Sequence, residues 1–322
     1  MSDNTLNQKV SIIIPVYNVS EYLERCLNSI LNQTYDNIEI VLIDDKSTDN
    51  TLSMCLSFSE KYDTVKVVAL EENSGAAAAR VAGINAASGS LYMFADGDDW
   101  LHPKMVEQMV LAVCKYGVDI FQCGQFIVES FNRDFDDIDF DSYKVSVFNS
   151  NEAIRQLYGA SDVSGYNYLL WNKIYSENVI KNTVLPTDNL KINDVPFIPR
   201  LLSNAKTAAI SEVPLYYYFQ RNNSNNESTM DATKSDYFKM SYEHFKAFKN
   251  VSDYFKNQNN EELYLLTSKY TLIYSLSVLK AKNATKQAKK QAISAVKSIP
   301  AKAYKYLPIK KVLVCRLFKL FG

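Results

Sequence analysis

The apolar positions of the first hundred residues follow two periodicities in turn. Continuous apolar runs, typical of buried parallel strands, occupy residues 9–18, 37–45, 65–70 and 89–99. Apolar side chains at helical spacing occupy residues 20–33, 48–62 and 75–87, with Ser20 expected to cap the first helix. Strands and helices that alternate in this order predict an α/β fold, a doubly wound and mostly parallel sheet with right-handed crossovers.

The predicted strands end in polar or aromatic side chains. These are Pro15, Tyr17 and Asn18 after the first strand, Asp44 and Asp45 after the second, and Asp96 and Asp98 after the fourth. Arg80 lies about one and a half turns into the third helix. Because ligands of such sheets bind beyond the carboxyl ends of the strands, we expect these side chains to meet at one edge.

Three carboxylates, on Asp96, Asp98 and Asp99, fall within four positions. They repel one another unless a cation or solvent lies between them. Carboxylates on a tight turn are suitable ligands for Mg²⁺ or Mn²⁺. The alternative is a surface turn with solvated acids, since a D-x-D pattern alone is common. The position directly after an apolar strand favours the metal site.

The chain contains neither a G-x-G-x-x-G nor a G-x-x-x-x-G-K-[ST] phosphate loop. A nucleotide bound here must therefore be held by a metal at its phosphates and by side chains at its base. Tyr17 is a candidate to stack on the base, and Asp44 or Asp45 to accept from a ring N–H. The alternative for Tyr17 is a purely structural position at the sheet edge. We interpret His102 and His244 as structural.

The pattern loosens after residue 126 and becomes helical from 231 onward. Within the loose region, residues 151–159 predict a helix and residues 205–221 a tyrosine-rich strand. We therefore predict three regions: two halves of one domain at 1–125 and 126–230, and a helical, basic C-terminal extension at 231–322.

Composition narrows the class of protein. An apolar fraction of 47% and a charged fraction of 22% are those of a folded chain. The five cysteines are odd in number and show no C-x-x-C spacing, which favours a reducing compartment over a disulfide framework or a structural zinc site. The N-terminal residues carry no apolar secretory segment, and we expect a cytoplasmic location.

The net charge of −1 conceals an asymmetry between the two ends of the chain. No Asp or Glu follows Glu262, whereas residues 263–322 hold thirteen Lys or Arg. Residues 308–322 predict a helix opened by Pro308. Its broad apolar face comprises Ile309, Leu313, Val314, Leu317, Phe318, Leu320 and Phe321. Its polar face carries Lys311, Arg316 and Lys319 and is interrupted by Val312 and Cys315. One interpretation is peripheral binding to an anionic membrane surface at the inner face of the cell membrane. The other is a terminal helix packed on its own domain.

The combined motifs P-x-Y-N, D-D-x-S-x-D, A-R and D-x-D-D over residues 9–120 are highly specific. This stretch resembles the nucleotide-binding half of the family 2 glycosyltransferases, which have the GT-A fold. A weaker continuation, from WNKIY at residue 171 to the Tyr-rich segment before Arg221, is similar to the second half of bacterial polysaccharide-building members.

The resemblance implies a role for each matching residue. Pro15 and Tyr17 would line the base pocket, with Tyr17 stacked on uracil, and Asp45 or Asp44 would accept the base N3–H. Arg80 would help to hold the nucleotide. Asp96 would approach the ribose and the metal, and Asp98 would bind the Mn²⁺ or Mg²⁺ that bridges the diphosphate.

The resemblance also implies the catalytic and acceptor residues. Asp194 falls where the family has its general base, which takes the proton of the acceptor hydroxyl in one inverting displacement. Asp99, Trp171, Asn172 and Lys173 would border the donor sugar or the acceptor. The chain departs from the family pattern at Lys46, where a glycine is usual, and at Asn193, where a glutamate is usual. Without that Glu, the alternative for Asp194 is a cap on the following helix.

The sequence therefore predicts a metal-dependent, inverting glycosyltransferase that uses a nucleotide sugar, with a UDP-sugar as the expected donor. The expected acceptor is a saccharide or lipid-linked saccharide in bacterial surface polysaccharide synthesis; a nucleic-acid partner is not expected. The alternatives are a GDP- or dTDP-sugar transferase, or a catalytically silent nucleotide-sugar-binding subunit.

Overall fold

The computed structural model describes residues 7–131, 133–159, 166–186, 192, 194–221 and 237–321. In its first hundred residues, strands and helices alternate as the sequence pattern predicts. The strands are β1 (Val10–Val16), β2 (Ile38–Asp44), β3 (Val65–Ala69) and β4 (Leu91–Phe94). The helices are α1 (Leu23–Leu31), α2 (Thr51–Lys61) and α3 (Gly75–Ala86). The predicted cap of α1 is wrong, because the Ser20 hydroxyl donates to Asp49 at 2.7 Å and α1 begins three residues later.

The middle of the chain adds five strands and four helices among the described residues. The strands are β5 (Trp100–Leu101), β6 (Ile120–Val128), β7 (Val145–Asn149), β8 (Lys173–Ser176) and β9 (Thr207–Phe219). The helices are α4 (Met105–Tyr116), α5 (Ser150–Leu157), α6 (Glu177–Asn182) and α7 (Asp194–Asn204). The predicted helix at 151–159 and the Tyr-rich strand are both present, as α5 and β9.

The strands form one mixed sheet in the order β3-β2-β1-β4-β8-β6-β9-β5, with β7 paired to β9. The four strands β1 to β4 are parallel, and β6 also runs parallel to β9. The pairings of β8, β5 and β7 are antiparallel. The sheet is thus parallel where the sequence pattern was regular and mixed where the pattern loosened.

Helices cover both faces of the parallel half. Alternate residues of β1, including Ile12 and Ile14, join one buried cluster with α1 and α4. Ile13 points to the opposite face, where α3 approaches so closely that a Cβ on Gly83 would lie 2.3 Å from the Ile13 Cγ2. A doubly wound arrangement results, as predicted, and β1 is buried on both faces.

The chain divides into two compact units. The first comprises the described residues of 1–157, 161–189 and 200–224, and the second those of 158–160, 190–199 and 225–322. The predicted boundary at 125/126 lies within β6, inside the first unit.

The second unit is helical, as predicted from residue 231 onward. Its helices are α8 (Tyr237–Asn257), α9 (Glu261–Lys280), α10 (Lys286–Ser298) and α11 (Ile309–Phe321). His244 stacks on Tyr274 with ring centroids 4.7 Å apart, and its Nδ1 lies 3.0 Å from the Met240 carbonyl oxygen. Across the described helices, none combines the length and the apolar character needed to span a bilayer.

A buried carboxylate joins three strands at the amino end of the sheet. Glu39, in β2, accepts hydrogen bonds from the Ser11 hydroxyl at 2.6 Å and from Ser88 just before β4. The ammonium groups of Lys9 and Lys66 lie 3.0 and 2.9 Å from its Oε2. Burial alone would raise the pKa of Glu39, but these hydrogen bonds outweigh it and hold the pKa well below the usual range.

We expect Glu39→Gln to lower the free energy of unfolding at neutral pH by about 2 kcal/mol, because the amide loses two charge-assisted bonds. The depressed pKa of Glu39 adds stability above the unfolded-state value near 4.3, and that stability disappears as the pH falls. Urea unfolding at several pH values checks this. The wild type should weaken more steeply than the variant below about pH 4, while exposed Glu60→Gln should change little; parallel pH curves for all three would contradict the assignment.

Candidate functional site

The carboxyl-terminal ends of β1, β2 and β4 form one rim of the sheet, because β1 pairs in parallel with both neighbours. In the strand register, Val16 lies opposite Asp44 and Ile13 opposite Phe94. The segments that follow these three strands therefore meet, as the sequence predicts. Pro15 is half-buried within β1, and the Tyr17 side chain is 47% exposed just beyond the strand.

The loops after β1 and β2 are tied to each other. Asn18 accepts from the Thr48 backbone N–H at 2.8 Å, and its own N–H donates to the Ser47 hydroxyl at 3.1 Å. Asn18 has φ 52° and Lys46 φ 63°, both in the left-handed region that non-glycine residues rarely adopt. The conformation at Lys46 gives a physical reason for the glycine that is usual there.

The two neighbouring acids after β2 have different surroundings. Both oxygens of Asp45 are taken by the start of α3, since they accept from the backbone N–H groups of Ser74 and Gly75 at 2.7 and 2.8 Å. Asp44 accepts from the Ser47 N–H at 3.1 Å through Oδ2. Its Oδ1 is buried and has no hydrogen-bond partner among the described residues. Of the pair, Asp44 is thus the one with a buried carboxylate oxygen that accepts no hydrogen bond within the described residues.

The first acid of the cluster after β4 is paired with an arginine from α3. The Arg80 guanidinium lies 3.1 Å from the Asp96 Oδ1, and Arg80 is buried while the Asp96 side chain is 33% exposed. The backbone N–H of Asp96 donates to the Tyr216 hydroxyl at 3.1 Å. The predicted nucleotide-binding residues Arg80 and Asp96 therefore lie in direct contact, with Asp96 open to solvent.

The second acid of this cluster is paired with an arginine from the end of β9. The Arg221 guanidinium lies 2.6 Å from the Asp98 Oδ2 and 4.3 Å above the centroid of the Tyr22 ring. Burial and the nearby Asp96 raise the pKa of Asp98, and Arg221 counteracts them in part. Gly97 fits between the two acids because a Cβ there would lie only 3.1 Å from methyl carbons of Val16 and Val19.

The third acid, Asp99, is fully enclosed. Its Oδ2 accepts from the Tyr216 hydroxyl at 2.8 Å, and its Oδ1 accepts from the Phe219 backbone N–H at 2.9 Å. Burial, with Asp98 and Asp96 close by, raises the pKa of Asp99 well above its usual range. With both oxygens bound internally, Asp99 fixes the end of β9 against the acidic turn.

Trp171 lies beside this cluster and stacks on two tyrosines of β9. Its ring is 4.2 Å from that of Tyr216 and 5.6 Å from that of Tyr218, centroid to centroid. Asn172 and Lys173 are fully buried: Asn172 donates to the Cys123 carbonyl, and the Lys173 ammonium donates to Asn167 and to Asn172. Both side chains are therefore bonded within the interior and have no solvent-facing atoms.

The acidic turn fits a hard divalent cation by its donor chemistry. Arg80 pairs with Asp96 and Arg221 with Asp98, and burial, followed by the charge of Asp96, raises the pKa of Asp98. Asp96 and Asp98 supply carboxylate oxygens, the ligands that Mg²⁺ and Mn²⁺ prefer. In the described part of the chain, no three His, Cys, Asp or Glu side chains are already gathered as a metal site.

The remaining predicted residue, Asp194, is the first residue of α7 and is half-buried. Its predicted neighbour Asn193 lies outside the described residues. An acid in the first turn stabilises a helix by its interaction with the helix dipole, so this position is compatible with both predicted roles.

Sequence reasoning missed two contributors to the cluster, Tyr216 and Arg221. The signal available was the YYYFQR run, in which the period of two places Tyr216 and Tyr218 on one face and Tyr217 on the other. Trp171 stacks on the first pair, and Trp100 stacks on Tyr217 at 5.6 Å.

Comparisons with known proteins agree with this architecture. A sequence model described as Glycosyl transferase family 2 matches residues 11–178, just over half of the chain. The chain is 33% identical over 216 residues to Glycosyltransferase GlyA of Streptococcus pneumoniae serotype 4, an alignment that covers 66% of this chain and 30% of GlyA. It spans 30% to 62% of the length of the first curated relatives it matches.

Two solved structures share the fold. S. aureus TarS 1-349 in complex with UDP superimposes with a TM-score of 0.70 at 19% identity, covering 97% of this chain and 87% of TarS; TarS was also solved with UDP-GlcNAc. The mannosyltransferase PcManGT from Pyrobaculum calidifontis, in complex with GDP-Man and Mn²⁺, has a TM-score of 0.53 at 14% identity, covering all of this chain and 89% of PcManGT. These likenesses confirm the GT-A fold.

We expect Asp45→Asn to lower the free energy of unfolding by about 1 kcal/mol, because an amide presents one acceptor in place of the two that cap α3. Urea denaturation followed by circular dichroism measures the change. Asp63→Asn, an exposed acid on the turn before β3, is the matched control and should stay near wild type. Equal stability of both variants would contradict the capping role.

Proposed function

The chain belongs to glycosyl transferase family 2, and from this premise we propose that it transfers one sugar from a UDP-sugar to a saccharide acceptor, with inversion at the transferred carbon. The observation that supports this best is the rim itself. An exposed aromatic ring at Tyr17, a buried Asp44 oxygen that accepts no hydrogen bond within the described residues, and the acidic turn of Asp96 and Asp98 lie on adjacent strand ends.

In this proposal the base of the nucleotide lies between Pro15 and Tyr17, with the Tyr17 ring stacked on it. The Asp44 Oδ1 accepts the ring N–H, which would give a buried oxygen the partner it lacks among the described residues. Asp45 acts indirectly, because its two bonds to the start of α3 fix the helix that presents Arg80. Arg80 supplies positive charge beside Asp96 for the phosphates.

Asp98, with Asp96, would hold the divalent cation. When bound, Mn²⁺ or Mg²⁺ supplies charge stabilisation for the diphosphate that leaves. Asp99 and Trp171 shape the donor-sugar side of the site, with Asn172 and Lys173 supporting Trp171 from the interior. The Arg221 guanidinium, which is paired with Asp98, supplies positive charge in addition to the metal beside the diphosphate.

Asp194 is the proposed general base. A carboxylate takes the proton of the acceptor hydroxyl as that oxygen attacks the sugar carbon, and the bond to the nucleoside diphosphate breaks on the opposite side. A single displacement of this kind inverts the configuration. The proposed setting is bacterial surface polysaccharide synthesis; GDP- or dTDP-sugars as donors, or a silent binding subunit, are the alternatives that the experiments below distinguish.

A panel of nucleotide sugars, each added with and without Mn²⁺, tests the donor and the metal together by thermal shift. A UDP-sugar at about a hundredfold over its Kd should stabilise the wild type by about 2.7 kcal/mol in Mn²⁺. Asp98→Asn should fold normally and lose most of that gain, since an amide is a weaker ligand for a hard cation. The exposed Asp141→Asn serves as control.

Two outcomes of this panel would contradict the proposal, one for the nucleotide and one for the metal. Stabilisation by GDP- or dTDP-sugars in preference to UDP-sugars would replace the proposed nucleotide. If a UDP-sugar stabilised the wild type fully in EDTA, or stabilised the Asp98→Asn variant as much as the wild type, the metal would be removed from the proposal.

We expect Asp194→Asn to reduce turnover by roughly 10²–10⁴-fold, the usual contribution of a positioned proton acceptor, with donor affinity nearly unchanged. Glu177→Gln is a matched control, because Glu177 also lies in the first turn of a helix, α6. Both variants lose a favourable interaction with a helix dipole. A lower turnover of Asp194→Asn than of Glu177→Gln would therefore indicate a catalytic role for Asp194. Normal turnover by Asp194→Asn would assign the base to another acid.

A further inference from the structure

The C-terminal helix α11 exposes apolar side chains in a continuous stripe. Ile309, Leu313 and Leu317 are spaced four residues apart and are 80%, 56% and 55% exposed. At about 100° per residue they cover roughly 80° of the helix surface. Lys310 and Arg316 flank this arc on its two sides, and both are exposed.

The opposite side of α11 attaches the helix to its own unit. The Cys315 side chain is fully buried, and the Lys319 ammonium donates to the Ile299 carbonyl at 2.6 Å. The same ammonium lies 5.5 Å from the centroid of the buried Tyr304 ring. The helix is therefore anchored by the side that the sequence pattern marked as polar, and its apolar stripe faces solvent.

The surface next to the stripe is basic. Lys302, Lys305 and Arg316 line a groove of about 510 Å³ whose apolar walls include Val312 and Tyr304. Lys302 is ion-paired with Glu261 at 3.0 Å. No Asp or Glu follows Glu262, so residues 263–322 carry thirteen basic side chains and no acidic side chain.

We propose that α11 docks this protein on an anionic phospholipid surface. The stripe of Ile309, Leu313 and Leu317 inserts among the acyl chains, and the flanking Lys310 and Arg316 reach the phosphate level of the headgroups. Lys305 and Arg316 in the groove add attraction to anionic headgroups. Charge complementarity selects this occupant, because a second copy of α11 would bring its own basic flanks against these.

Co-sedimentation with vesicles tests the proposal on the full chain. Phosphatidylcholine vesicles with about a third phosphatidylglycerol should bind the wild type at low salt, and pure phosphatidylcholine should bind it much less. The triple variant Ile309→Ser, Leu313→Ser, Leu317→Ser should lower the partition coefficient on the order of tenfold or more. Leu56→Ser, which removes a 47% exposed leucine from α2, should bind as wild type.

A second pair of variants isolates the charge. Lys310→Gln with Arg316→Gln should weaken binding to the anionic vesicles and flatten its dependence on salt. Lys61→Gln with Lys115→Gln removes two exposed lysines from other helices and should leave binding unchanged. Thermal melting of every variant should match the wild type, because all the substituted side chains are exposed.

Three results would overturn the proposal. Unchanged vesicle binding by a folded triple variant would show that the stripe does not insert. Equal binding to neutral and anionic vesicles would remove the role of the basic flanks. A wild type that ignores vesicles but dissociates from dimer to monomer on the triple substitution, by analytical ultracentrifugation, would assign the stripe to a contact between copies.

Discussion

The mutual repulsion of Asp96, Asp98 and Asp99 is the constraint on which the rest of the first unit depends. Positive charge or a hydrogen-bond donor offsets the repulsion between carboxylates this close, and each of the three has a different partner. Asp96 has the Arg80 guanidinium, Asp98 that of Arg221, and Asp99 the Tyr216 hydroxyl with the backbone N–H of Phe219. These partners come from α3, from β9 and from Arg221 two residues beyond β9, so parts of the chain that are distant in sequence hold the acidic turn.

Strand β9 supplies several of these partners because it is long and its side chains alternate between the two faces of the sheet. Its thirteen residues pair with β6 in parallel and with β5 and β7 in antiparallel fashion. The hydroxyl of Tyr216 bridges the Asp96 N–H and the Asp99 carboxylate, whereas Tyr217, on the other face, bonds Asp136. One strand therefore fixes both the enclosed acid of the turn and the aromatic wall that Trp171 completes. The acidic turn after β4 is therefore bounded by β9 as well as by the ends of the parallel strands.

Much of this arrangement could be predicted from the sequence, and the parts that could not share one cause. Runs such as residues 10–16 specify buried parallel strands locally, and strand order then brings their ends together. Whether Asp44 or Asp45 remains open depends on where the first amides of α3 lie, which periodicity does not reveal. The Arg221–Asp98 pair joins residues far apart in sequence, and spacing gives no sign of it. Likewise, the sequence predicts the apolar stripe of α11 but not which side of the helix packs on its own unit; in the structure, that side carries the buried Cys315.

The backbone near the rim is held in costly conformations, and the hydrogen bonds around it explain how. Asn18 and Lys46 both have positive φ, which costs a residue such as lysine roughly 1–2 kcal/mol and asparagine less, because asparagine adopts the left-handed region more readily. At Asn18 the side chain and the N–H each bond the facing loop, so the strained turn after β1 and the turn after β2 stabilise each other. Lys46 is exposed, and the backbone N–H of the next residue, Ser47, donates to the Asp44 carboxylate. Strain of this kind persists where the surroundings over-determine a conformation. The two strained residues directly follow Tyr17 and Asp45, so the strain lies beside the residues that are proposed to meet the base of the nucleotide.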